Sequence, residues 1–310
     1  MSELVELDRS QYPDDALNRF TPTPHFDIEN ARAMMWLSQL AYETVHEAKV
    51  TDILGAFGLT KRAVVTNDPG TGLPPHSACV IVADGRGATF VAFAGSDPLK
   101  FNDWITDFDV MPTPDDLHEG FKAAVELVWP RIEPAIIDPA NAGRPVFFTG
   151  HSLGGALAIL AAARAPNGRP IVAYTFGSPR NGGEQFFNDY TKRLGDSTFR
   201  FIDGTDIVPT VPPTILNRYH HVGQAVHCPS GGLFNGIVPM SSNGNDPDFV
   251  RSLLQAGIAD AAAIAAVQLL PRIGPGLQNL LAGLLPRLIR DHVPANYFRA
   301  LSITLRPPPP

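Results

Sequence analysis

Cysteine is scarce: Cys79 and Cys228 are the two thiols in a chain of 310 residues. Two cysteines cannot build a disulfide framework, so a fold of this size must be held by its own core. They read as two free thiols in a reducing compartment. A basic stripe is missing as well. The formal net charge is −7, from 31 acidic and 24 basic side chains scattered along the chain. Nucleic acid requires clustered Lys and Arg against its phosphates, so that class of partner is excluded. Long apolar runs are also lacking. The charge-free stretches near 261–271 and 273–286 are too short to span a bilayer, and the second is broken by Pro and Gly. The opening Met1-Ser2-Glu3-Leu4-Val5-Glu6-Leu7-Asp8 has no basic region followed by an apolar one, as a secretory signal requires. These absences predict a soluble protein without a transmembrane segment, cytoplasmic by default, with non-classical secretion left open.

What is present suits one large α/β domain. Hydrophobic residues make up 44% of the chain, enough for a substantial core. Residues 1–26, with Pro13, Pro22 and Pro24, read as a loose N-terminal extension. Asp27 is a good N-cap for a helix whose Ala31, Met34, Leu37, Leu40 and Ala41 share one face. Residues 78–83 and 88–93 are β-like and flank the turn Asp84-Gly85-Arg86-Gly87, which predicts a hairpin. A helix is expected near 117–129. Strands at 145–149, 170–175 and 198–203 then alternate with helices at 153–165 and 184–194. Such alternation predicts parallel β-α-β units, so the whole sheet should be mixed and mostly parallel, with helices on both faces.

Residues 247–290 differ in composition. An Ala-rich half is followed by the stripe Leu277, Leu280, Leu281, Leu284, Leu285 and Leu288, and Gly274-Pro275-Gly276 separates the two. Two helices are expected, either as a layer on the sheet or as an acyl-chain wall or cover over a site. Residues 306–310 form a stiff Pro-rich tail.

The strand at 145–149 runs into Gly150-His151-Ser152-Leu153-Gly154, and a helix follows at once. This is G-x-S-x-G in the strand–turn–helix setting that the motif needs. The turn strains the serine backbone, lets its hydroxyl project, and puts a helix N-terminus beneath it. Ser152 is therefore the expected nucleophile.

Around that motif the chain resembles the class 3 lipases, the α/β-hydrolase family of the fungal triacylglycerol lipases. The matching segments occur in family order. They are Phe93-Ala94-Gly95-Ser96-Asp97 with Trp104 and Asp107, then His118-Glu119-Gly120-Phe121, then Gly150 through Ala158. Thr175-Phe176-Gly177-Ser178-Pro179-Arg180 follows, with Asp206-Ile207-Val208-Pro209 and Asp291-His292 with Tyr297. The resemblance covers roughly residues 27 to 302 and implies one α/β-hydrolase domain over 27–305. Two departures stand out. Ala94 occupies a position where the family usually has Arg, and the interval from Asp206 to His292 is longer than usual.

A serine hydroxyl needs a neighbouring imidazole to take its proton, and the imidazole needs a carboxylate to orient it. In α/β-hydrolases the acid and then the histidine follow the serine. Asp203 and Asp206 both qualify as the acid. The turn Gly204-Thr205-Asp206 favours Asp206, and the family pattern agrees. Four histidines follow it. His220 and His221 sit in a strand-like Tyr-His-His-Val-Gly run, His227 adjoins Cys228 without further metal ligands, and His292 precedes Pro294 on a loop. His292 is the expected base, with His221 its main rival. His151 and His118 read as packing or hydrogen-bonding residues.

The Leu153 amide should form part of an oxyanion hole. By resemblance, Ser96 supplies the other donor, and residues 97–106 occupy the family's lid position. The expectation is an ester hydrolase acting on acylglycerols through an acyl-serine, with no metal and no organic cofactor. Its substrate would be an ester lipid, met at a lipid–water interface. Phospholipase A1, short-chain carboxylesterase and aryl esterase activities share the same machinery. A catalytically inactive binding protein is the rival of another class.

Overall fold

The computed structural model describes residues 6–66, 78–95, 117–206, 208–211, 219–237 and 291–307. One sheet organises them. Its strands are Leu59–Val65 (β1), Val80–Gly85 (β2), Ala88–Phe93 (β3), Val146–His151 (β4), Ile171–Phe176 (β5), Thr198–Asp203 (β6) and Gln224–Cys228 (β7). They lie side by side in that order. The pairs β1–β2 and β2–β3 are antiparallel, and every pair from β3 to β7 is parallel. The hairpin turns through Arg86 at φ 48° and Gly87 at φ 78°. Two successive positive φ values give the twist that matches paired strands. Strands β3 to β6 are buried along their whole length, as a parallel sheet covered on both faces requires.

The helices are Ile28–Leu40 (α1), Glu47–Ala56 (α2), Glu119–Ile136 (α3), Leu153–Arg164 (α4), Glu184–Leu194 (α5) and Pro294–Ala300 (α6). One apolar cluster joins α1, α2 and α6 to one face of the sheet, and a second joins α3, α4 and α5 to the other. Asp27 caps α1, its carboxylate accepting the amides of Glu29 at 2.7 Å and Asn30 at 3.3 Å. The fold is thus the expected α/β arrangement, mostly parallel with helices on both faces.

Four details differ from the sequence reading. Residues 6–26 are not loose: Tyr12 and Leu17 are buried, and Phe20 meets Phe90 and Phe147 edge-on at 5.0 and 4.9 Å. Aromatic burial there outweighs the three prolines. Helix α3 continues past Pro130 and Pro134 to Ile136, because Ile132, Ala135 and Ile136 are buried beyond them. The seventh strand starts at Gln224, so the histidine run before it is not a strand. His220 makes an isolated bridge with Gly182. Finally, α2 and the edge strand β1 were not anticipated. The expected helices at 247–290 lie outside the described residues.

Because β3 to β7 run in parallel, their carboxyl ends share one edge. The loops leaving that edge carry the candidate site.

Candidate active site

Ser152 stands between β4 and α4 with φ 59° and ψ −133°. This conformation is unfavourable for a residue with a Cβ and costs about 1–3 kcal/mol. Two glycines make the turn possible. A Cβ on Gly150 would lie 2.2 Å from the Gly154 carbonyl carbon, and one on Gly154 would lie 2.3 Å from the Phe93 oxygen. Strand and helix therefore touch backbone to backbone. The Ser152 amide donates to the Phe176 carbonyl at 2.8 Å, and the Gly155 amide donates to the Ser152 carbonyl at 2.9 Å.

The Ser152 hydroxyl donates to His292 Nε2 at 2.9 Å, and His292 Nδ1–H donates to Asp206 Oδ2 at 2.9 Å. All three residues are buried. The same Asp206 oxygen accepts the Tyr297 hydroxyl at 2.6 Å, and Oδ1 accepts the Val208 amide at 2.9 Å. Three donors hold this carboxylate in place, and it selects the His292 tautomer whose Nε2 is a lone pair facing Ser152. The structure thus brings together Ser152, Asp206 and His292, which the sequence places 54 and 86 residues apart in turn.

Two glycines of the edge keep this geometry open. Gly177 has φ +57°, and a Cβ there would lie 2.6 Å from Asp206 Oδ2 and 2.9 Å from His292 Nδ1. Any side chain would wedge between Asp206 and His292. Gly204 has φ +53°, and its Cβ would meet Asp291 Oδ2 at 2.4 Å. Asp291 Oδ2 accepts both the amide and the hydroxyl of Thr205, at 2.9 and 3.0 Å. The loop carrying Asp206 is thereby pinned to the residue before His292.

The rival groups lie elsewhere. Asp203 ends β6 with its carboxylate on the Cys228 thiol, which donates at 3.2 Å. Burial pushes the Asp203 carboxyl up to about 7, against which the Cys228 hydrogen bond acts. His221 Nε2 lies 2.7 Å from the Pro209 carbonyl, and burial, with Arg200 and Arg180 nearby, holds its pKa well below the ordinary value. His227 lies in β7, 3.2 Å from the Gly204 carbonyl. His118 stacks on Phe121 at 4.0 Å, and burial lowers its pKa to about 4. No group of His, Cys, Asp or Glu suited to a metal ion occurs among the described residues.

Leu153 is the first residue of α4, in the turn whose amides have no intrahelical acceptor. Gly95 brings the end of β3 against it: a Cβ there would lie 3.0 Å from Ser152 Cβ. Ser96 and the 97–106 segment lie outside the described residues. A cavity of about 340 Å³ between α3, α4 and α5, lined by Val125, Leu160 and Tyr190, shares no residue with the site.

Residues 90–216 match the family described as Lipase (class 3). Over that stretch the chain is similar to the class 3 lipases. A secreted mono- and diacylglycerol lipase of Fusarium solani is 37% identical over 153 residues, which is 46% of this chain and 45% of that protein. A secreted mono- and diacylglycerol lipase of Malassezia restricta is 42% identical over 80 residues, covering 24% of this chain and 26% of that one. The matches thus span less than half the length of these curated relatives. Among solved structures, a triacylglycerol lipase described as having a serine-protease triad for its catalytic centre superposes with a TM-score of 0.55 at 26% identity. That match covers 64% of this chain and 79% of the other.

Secreted relatives correct one expectation. A cytoplasmic location was inferred from the opening residues and from two unpaired cysteines, yet the relatives just described are secreted proteins. The thiols carry no compartment signal because Cys79 and Cys228 are both buried, and a buried thiol is inert on either side of a membrane. No described helix is long and apolar enough to cross a membrane.

Tyr297 was noted in the sequence without a role, and Gly177, Gly204 and Asp291 were given none. Only Gly177 carried a local signal, as a glycine following a buried strand and preceding Ser178-Pro179. The others act through contacts distant in sequence.

Proposed function

We propose that this protein is a serine hydrolase of carboxylic esters that acts on acylglycerols, from a hydrolase domain whose core also takes in Tyr12, Leu17 and Phe20. The carrying observation is the unbroken chain of two 2.9 Å hydrogen bonds from Ser152 through His292 to Asp206. Ser152 Oγ attacks the ester carbonyl while His292 Nε2 takes its proton. The imidazolium, stabilised by Asp206, returns that proton to the leaving alkoxide. Water then attacks the acyl-serine with His292 again as base, releasing the fatty acid. The Leu153 amide, with Ser96 across from it, is the proposed donor pair for the oxyanion. The approach of Gly95 to Ser152 supports this pairing. Relatives named mono- and diacylglycerol lipases support acylglycerol as the substrate class and an extracellular place of work.

A fluorophosphonate probe tests the chemistry. Ser152 should become phosphonylated, and Ser152→Ala should lose labelling and about 10⁶-fold in turnover. A parent protein that fails to label would favour the inactive binding protein. Hydrolysis of acylglycerols against p-nitrophenyl esters of rising chain length tests the substrate: preference limited to acetate would replace the lipase by a short-chain esterase.

A further inference from the structure

We infer that His151 is a positioning residue for the base, with Tyr42 setting its tautomer. This rests on the hydrolase reading above. His151 is buried beside the nucleophile, and its ring lies against that of His292, with centroids 4.6 Å apart and planes 29° apart. Its Nε2 is 2.7 Å from the main-chain carbonyl of His292 itself. A carbonyl can only accept, so Nε2 carries the proton. Nδ1 is then a lone pair, and the Tyr42 hydroxyl, 2.9 Å away, donates to it. Each nitrogen has one partner of the right kind, and the neutral ring satisfies both.

The arrangement does two things that packing alone would not. First, it holds the base by its backbone. His292 sits on a short turn before α6, and its side chain is tethered at Asp206 and Ser152. The His151 bond adds a third tether at the main chain, so the backbone from which the ring reaches Ser152 is held as well. Second, it presents an uncharged face to the imidazolium that forms during turnover. Burial, reinforced by the adjacent His292, keeps the His151 pKa well below its ordinary value. The described rings facing His151 are Tyr42 from the turn Ala41–Glu43, His292, and Tyr297 from α6, whose ring centroid is 5.5 Å away. Tyr42 also anchors the third side of the site, since a Cβ on Gly95 would strike its hydroxyl. One tyrosine therefore contacts both the strand end behind the nucleophile and the support behind the base.

The two amide substitutions of His151 separate positioning from packing. Gln places its terminal amide near the original Nε2 and can still donate to the His292 carbonyl; Asn is too short to do so. His151→Asn should lower kcat by about 10²-fold on a p-nitrophenyl ester, the scale of a misplaced reacting group. His151→Gln should stay within about 10-fold of the parent. KM should move less than about 3-fold in both, since substrate binding is untouched. Equal losses in the two variants, or a change confined to KM, would overturn the inference.

Should His151→Asn fail to fold, Tyr42→Phe keeps the ring and removes the hydroxyl. It should lower kcat by about 5-fold and shift the proton resonance of His292 Nδ1–H. An unchanged kcat and resonance would sink the idea. Fluorophosphonate labelling of the parent separates this outcome from failure of the hydrolase reading. A parent that labels while its variants behave alike defeats the positioning role alone.

Discussion

The two ends of the sheet hold similar polar groups and put them to different uses. At the amino end of the parallel strands, Arg169 donates to the carbonyls of Arg144, Ala135 and Ile136 and to the Thr89 hydroxyl. Asp84 accepts from Thr89 at 2.6 Å and from Asn141 at 2.9 Å. Every group there meets a partner that keeps its proton, and both charges remain part-exposed. At the carboxyl end, a carboxylate, a hydroxyl and a carbonyl again converge, but around an imidazole and away from water. A saturated network of guanidinium and carboxylate can only hold strands together. The same carboxylate bonded to a titratable ring can move a proton.

The comparison breaks most sharply at His292. His292→Ala should approach the loss expected for Ser152→Ala, about 10⁶-fold in kcat, while His221→Ala should be mild; steady-state rates on one ester decide between them. Next comes Tyr297→Phe, which removes the 2.6 Å bond to Asp206. It should cost about 10-fold in kcat with KM unchanged, since a hydrogen bond to a charged group is worth more than a neutral one.

At the other end, Arg169→Ala should leave kcat alone and lower the thermal midpoint, by about 1–3 kcal/mol of stability. A fall in kcat without loss of stability would erase the distinction between the two ends. The last test reads pH dependence rather than rate, at Asp203. Its carboxyl titrates at about 7 in the folded protein against an ordinary 3.8, so the native state binds this proton more firmly than the unfolded chain. That contribution is fully present below about pH 4 and is lost as pH rises through about 7. Asp203→Asn should therefore gain stability relative to the parent across that interval and level off above it. Thermal midpoints recorded from pH 4 to 8 check the sign.

The legible parts of the molecule were those whose cause is local. Gly150 to Gly154 declares a sharp turn because the glycines that permit it are two residues from the serine. The hairpin at Arg86-Gly87 and the cap at Asp27 are local in the same way. Asp206 stood out from Asp203 because one lies in a turn and the other in a strand. What stayed hidden depends on the fold. Tyr297 meets Asp206 across 91 residues, and the Thr205–Asp291 clamp spans 86. Residues 6–26 could not be read as core because Tyr12 and Phe20 find their partners far along the chain. Strand β1 was obscured by Lys61 and Arg62, which suit an exposed edge. Helix α2 begins without a side-chain cap at His46.

The backbone angle of Ser152 has a consequence beyond geometry. An unfolded chain has no reason to keep a serine at φ 59°; the close packing of strand and helix at Gly150 and Gly154 imposes it. The hydroxyl is therefore an ordinary alcohol until strand and helix have docked. A phosphonate label would then count finished molecules, and a partly melted population would read as silent rather than slow.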